Sequence, residues 1–242
     1  MKNLKNKFFI CQISVFIIFT ILLSYLSQAN YLFRDNDVDA FANQNSKFTV
    51  IIDAGHGGED CGAIGINGVY EKDLNMQISL KLGEYLEAAG FEVIYTRTDD
   101  ALLYSAQENI KGMRKISDLK NRVKICNSYD NALFISIHMN SFGSENCSGL
   151  QVYYSPDSEN ARSAAISVQD NVKSKLQPTN KRSVKSGENI YVLENSENPA
   201  ILIECGFISN SGECKKLSEK EYQKELSFAI LCGIIEYEKS KK

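Results

Sequence analysis

The chain contains two histidines, and each follows a short apolar run. Val50-Ile51-Ile52 stops at Asp53, and His56 then sits among Gly55, Gly57 and Gly58. Leu133-Phe134-Ile135-Ser136-Ile137 leads straight into His138, followed by Met139-Asn140-Ser141. One histidine beside an apolar run is usually structural. Both in the same setting point to a shared metal or catalytic site. Two carboxylates complete the candidate group. Glu71 opens a stretch of helical periodicity, where the dipole favours the ionised, metal-binding form by about 0.3–1 kcal/mol. Glu204 ends Ile201-Leu202-Ile203, and a carboxylate on a buried strand needs a partner or a shifted pKa, which suits a general base. Two imidazoles and one carboxylate form a common catalytic zinc set that leaves a position for water. Residue types alone do not decide which glutamate is the ligand. A capping role for Glu71 and a structural salt bridge for Glu204 stand beside these readings.

The elements that must position these residues alternate. Apolar runs of strand type fall at 48–53, 91–96, 132–137, 149–154, 189–193 and 200–204. Helical periodicity falls at 71–89, 116–129, 158–176 and 218–237. Residues 59–70 read as glycine-rich loop, and 98–115 as loop with a short helix. Such alternation implies an α/β fold, a mostly parallel central sheet flanked by helices, with one catalytic domain over 47–242. Sites in such sheets lie outside the carboxyl ends of the strands. His56, His138 and Glu204 are each expected at or just past such an end.

Lys2, Lys5 and Lys7 precede an apolar run over 8–26, about long enough to cross a bilayer. Asp35, Asp37 and Asp39 follow it, which places the rest of the chain outside the cytoplasm. Ser27-Gln28-Ala29 resembles a cleavage site. Residues 1–29 are therefore expected to be a signal peptide or membrane anchor, and 30–46 a polar linker. A net charge of −3 argues against nucleic acid as the main partner. Seven cysteines cannot all pair within the chain. Cys126, Cys205 and Cys232 fall in regular patterns as small hydrophobes, Cys11 in the N-terminal run, and Cys61, Cys147 and Cys214 in loops. A Cys61–Cys147 bridge is the pairing to consider, though free thiols are favoured over it.

Val50 to Gly58, Glu71-Lys72-Asp73-Leu74-Asn75, Thr96-Arg97-Thr98, Ser136 to Ser141 and Ile203 to Asn210 resemble the zinc-dependent N-acetylmuramoyl-L-alanine amidases of the type 3 family. The likeness covers roughly residues 48–238. It is strongest to the sporulation members that act on spore-cortex peptidoglycan, judged on the membrane segment, the long stretch between Arg97 and Val123, and the lack of a wall-binding module. The resemblance implies one Zn2+ ion held by His56, Glu71 and His138, with Glu204 as the catalytic glutamate. It gives Asp53 and Asn140 supporting or substrate-binding roles. It implies peptidoglycan as substrate, cleaved between N-acetylmuramic acid and L-alanine as a step toward muramic δ-lactam. The setting implied is extracytoplasmic, in the forespore intermembrane space or cortex. An accessory protein or the membrane segment is expected to supply targeting or activation. Three alternatives compete: a thiol hydrolase using Cys205 with His138, a retaining glycosidase using Glu71 and Glu204, and a non-catalytic wall-binding module.

Overall fold

The computed structural model describes residues 48–241. The expected targeting segment at 1–29 and linker at 30–46 lie outside the described residues. Among the described residues no helix is long and apolar enough to cross a membrane. The elements run β1 (Thr49–Ala54), α1 (Glu71–Ala88), β2 (Glu92–Tyr95), α2 (Arg114–Cys126), β3 (Ala132–Asn140), β4 (Gln151–Tyr154), α3 (Glu159–Lys175), β5 (Lys185–Ser186), α4 (Tyr191–Glu194), β6 (Ala200–Phe207), α5 (Ser211–Leu217) and α6 (Lys220–Ser240). The six strands form one sheet in the order β2-β1-β3-β6-β4-β5. Every neighbouring pair is parallel except β4 with β6, so the mostly parallel sheet flanked by helices is as expected.

The register explains how a core face becomes a site. Side chains alternate along a strand, so every second residue shares a face. Ile51 lies opposite Phe134, and Phe134 opposite Ala200. With Leu202 they pack on Val123 and Cys126 of α2 and on Val192 and Leu193 of α4. Two residues further along, Asp53 lies opposite Ser136, and beyond that His138 lies opposite Glu204. The same face therefore turns from apolar to ionisable at the carboxyl end of the sheet. The other face carries Val50, Ile52, Leu133, Ile135, Ile137, Ile201 and Ile203, all fully buried. Helices α1, α3 and α6 cover that side. Burial on both faces is why β1 and β3 read as unbroken apolar runs.

Two expectations are corrected. Residues 189–193 form no strand. Asn189 turns with φ +68°, its amide donates to Glu194 at 2.8 Å, and the short helix α4 follows. A short apolar run does not separate strand from helix by periodicity. Secondly, β3 and β6 run on through Asn140 and Phe207, which pair with each other past an irregularity in register. His138 and Glu204 thus sit inside strands rather than past their ends, because their polar side chains only looked like strand stops. The elements β5 and α5, for which the sequence gives no expectation, carry too little apolar sequence to announce themselves. As favoured by the sequence, Cys61 and Cys147 are free thiols, as are Cys126, Cys205, Cys214 and Cys232.

Candidate metal centre

Glu71, His56 and His138 converge from the helix α1 N-terminus, the turn after β1 and the interior of β3. One possible ligand atom from each lies within 4.8 Å of the others. Glu71 Oε1 is 3.2 Å from His56 Nε2 and 2.9 Å from His138 Nδ1. The two imidazoles meet edge to face, with centroids 4.9 Å apart. The glutamate is held from behind. Met139 N–H donates to Oε1 at 3.1 Å, and Ala63 N–H donates to Oε2 at 2.8 Å. Burial works against the Glu71 carboxylate, yet the hydrogen bonds to His138 and His56 outweigh it and hold its pKa well below the ordinary range. It is therefore ionised, the form that binds a cation.

Asp60 accepts from His56 Nδ1 at 3.0 Å, which leaves Nε2 facing Glu71. A carboxylate on the outer ring nitrogen fixes both tautomer and ring orientation. Burial also disfavours the His56 imidazolium, but Glu71 and Asp60 together raise its pKa. Two glycines make room. A Cβ on Gly55 would lie 2.2 Å from His138 Nε2. A Cβ on Gly62, where φ is +66°, would lie 2.5 Å from Glu71 Oε2.

Glu204 stands opposite His138 on the neighbouring strand. Its Oε2 is buried and finds no hydrogen-bond partner among the described residues. Burial raises its carboxyl pKa to about 7, with the charge of Glu71 adding to the rise and His138 opposing it. A buried, unsatisfied carboxylate oxygen beside three converging donors fits a group that the protein itself does not supply. A cleft of 310 Å³ opens alongside, lined in part by His56, Asp60, Lys115, His138, Ile190 and Tyr191.

Asp53 is not at the cluster surface. Only 1% exposed, it accepts from Thr96 Oγ1 and Ser136 Oγ, each at 2.6 Å, and pairs with Arg122 Nη1. Asn140 contributes its main chain, whose carbonyl accepts the Ile208 amide at 2.8 Å. Arg122, which the sequence reading passed over, spends all five of its donors. Two go to Asp118, one each to Asp53 and the Ala54 carbonyl, and one to the His56 carbonyl at 2.8 Å. Its signal was available: Arg122 lies three residues after Leu119 and four before Cys126, on the apolar face of α2. Cys205 follows Glu204 and therefore faces the other side of the sheet. It is fully buried, and burial pushes its thiol far up. This overturns the thiol reading.

A cluster of imidazoles and carboxylates on the carboxyl edge of a mostly parallel sheet lies where an α/β enzyme carries its site. The chain belongs to the N-acetylmuramoyl-L-alanine amidase family, whose model matches residues 50–236. Its activity is that amidase activity, on peptidoglycan, which removes the glycosidase and the non-catalytic readings. The germination-specific N-acetylmuramoyl-L-alanine amidase of Bacillus subtilis is 36% identical over 226 residues, 92% of each chain. Among solved structures, the CwlD amidase of Clostridioides difficile, in complex with the GerS lipoprotein, is 39% identical with a TM-score of 0.76. The match covers 79% of this chain and 98% of that one. An N-acetylmuramoyl-L-alanine amidase of Clostridium difficile 630 is 32% identical with a TM-score of 0.70, covering 81% and 98%.

Proposed function

We propose that His56, Glu71 and His138 hold one Zn2+ ion, and that Glu204 is the general base for hydrolysis of the N-acetylmuramic acid–L-alanine amide. The observation that carries this reading is the meeting of three donors beside the orphaned Glu204 oxygen. A bound zinc ion supplies carbonyl polarisation and lowers the pKa of a water toward about 7. The rest falls to the chain. Glu204 takes a proton from the attacking water. Water oxygen bonds to the lactyl carbonyl carbon, and the carbon–nitrogen bond breaks. The same proton then passes from Glu204 to the departing alanine nitrogen, so the carboxylate returns to its starting state. Burial favours the protonated form of Glu204, which suits a group that must take up a proton and hold it for the leaving amine. Asp60 and Arg122 hold the His56 turn during this exchange.

The substrate setting follows the relatives. The Bacillus subtilis relative is named germination-specific, which supports a germination role for this chain. Action on spore-cortex peptidoglycan as a step toward muramic δ-lactam is the finer role implied by the family resemblance. The Clostridioides difficile relative is seen with a lipoprotein, which supports an accessory protein for this chain too. Peptidoglycan lies outside the cytoplasm, and so would this domain. The test is digestion of purified cortex with zinc-loaded and chelator-stripped enzyme, followed by mass spectrometry. Peptide-free muramic acid and new alanine amino termini are expected from the loaded enzyme alone. Equal release by metal-free protein would remove zinc from the reading, and new reducing ends would remove the bond assignment.

A further inference from the structure

The turn that carries His56 is held by its carbonyls. His56 has φ +61°, a left-handed conformation that is unfavourable for a non-glycine residue. The Ala54 carbonyl accepts from Arg97 Nε at 2.8 Å and from Arg122 Nη1 at 2.9 Å. The Gly55 carbonyl accepts from Arg97 Nη2 at 3.0 Å and from Asn75 Nδ2 at 3.1 Å. Arg97 Nη2 also donates to the Lys72 carbonyl at 3.2 Å, and Nη1 to the Asp99 carbonyl at 2.9 Å. Lys72 follows Glu71 directly, and Gly55 precedes His56 directly. One nitrogen of Arg97 therefore ties the main chain beside one ligand to the main chain beside another.

Arg97 is 5% exposed, and each of these acceptors is a main-chain carbonyl rather than a carboxylate. Arg122, by contrast, pairs directly with Asp53 and Asp118, which together with Asp100 favour the Arg97 charge only from a distance. Burying a guanidinium whose hydrogen bonds all go to carbonyls is costly, and here burial and the neighbouring Arg122 outweigh the help of the distant carboxylates. What a planar, forked donor provides is geometry, because it fixes several acceptors at once. We infer that Arg97 is a positioning residue for the metal centre: it sets the separation of the His56 and Glu71 backbones, and through it the affinity for Zn2+, while touching neither metal nor substrate. This rests on the zinc reading above.

The test uses the full-length protein as parent, Arg97→Lys, Arg97→Gln and a control, Leu86→Ala, which opens the core under α1. Zinc affinity is measured by titration against a competing chelator, well below the lowest melting temperature. Amide exchange is followed in the metal-free proteins at Gly57 and Lys72, whose N–H groups donate to Asp60 and Cys61. Arg97→Lys keeps the charge and loses the fork. It should weaken zinc binding roughly 10- to 100-fold and speed exchange at both amides. Arg97→Gln should move both readouts in the same direction. Leu86→Ala should lower the melting temperature and keep the parental affinity. Parental affinity in folded Arg97→Lys or Arg97→Gln overturns the inference, as does equal weakening in Leu86→Ala. If the parent binds no zinc, the zinc reading falls by itself. Exchange then decides for Arg97, and unchanged rates at Gly57 and Lys72 overturn it.

Discussion

Gly55→Ala is the sharpest probe of the cluster, because it adds one methyl group where His138 now lies. The added Cβ would sit 2.2 Å from Nε2 and 2.3 Å from Cε1 of the imidazole. Ordinary contact begins at 3.4 Å, so the ring must retreat by about 1.2 Å, the difference between the two distances. Gly55 has no positive φ, so alanine brings no backbone strain of its own. A misplacement of about 1 Å costs roughly 10²-fold in rate when geometry governs the chemistry. Zinc affinity should fall by a similar factor, and overpacking should cost about 1–3 kcal/mol of stability. The assay pairs chelator competition with released amino groups, and circular dichroism reports the fold. Gly143→Ala is the control, since its Cβ would meet nothing within 4 Å. Zinc affinity and turnover within threefold of the parent in Gly55→Ala would show that His138 is not a ligand in this pose.

His56→Ala and His138→Ala should each lose zinc while keeping the fold, since two protein ligands rarely hold a catalytic ion; stoichiometric zinc by elemental analysis would mean a misassigned ligand. Glu71→Gln should lose both zinc and activity, whereas Glu204→Gln should keep zinc and lose about 10²-fold in turnover, roughly 3 kcal/mol; the reverse pattern would exchange their roles. Burial raises the Asp53 carboxyl, but Arg122 and two hydroxyls outweigh it and hold it below 3.8. Its contribution is therefore present at neutral pH and fades as pH falls through the folded value. Asp53→Asn should cost roughly 3 kcal/mol at pH 7 by thermal melts, with parent and variant converging below about pH 4; a gap independent of pH would refute the ion pair. Cys205→Ala should leave turnover within a few-fold of the parent, and loss beyond that would revive the thiol.

Much of the site was legible because its donors stand where a pattern breaks. His56 and Glu71 interrupt apolar or glycine-rich sequence, and Glu204 interrupts β6. The strand register could not be read in this way. Only the pairing of β3 with β6 puts Glu204 opposite His138, and that pairing joins residues far apart in the chain. The carbonyl clamps were equally hidden, since a sequence shows Arg97 and Arg122 but not the main-chain oxygens that face them. The short helix α4 was misread because Ile190-Tyr191-Val192-Leu193 satisfies a strand pattern as well as a helical one.

The long sequence separations inside the cluster bear on how a wall-cutting enzyme can be made safely. His138 reaches Glu71 across 67 residues, and Arg122 reaches His56 across 66. Each such contact closes a long loop before it gains anything. A chain made from its N-terminus exposes His56 and Glu71 well before His138, and Glu204 later still. If Glu204 is the base, as proposed, a nascent or truncated product lacking β6 has none, whatever metal it meets. On the proposed roles, proton transfer becomes possible only once synthesis has passed Glu204, well after its strand partner His138 has been made.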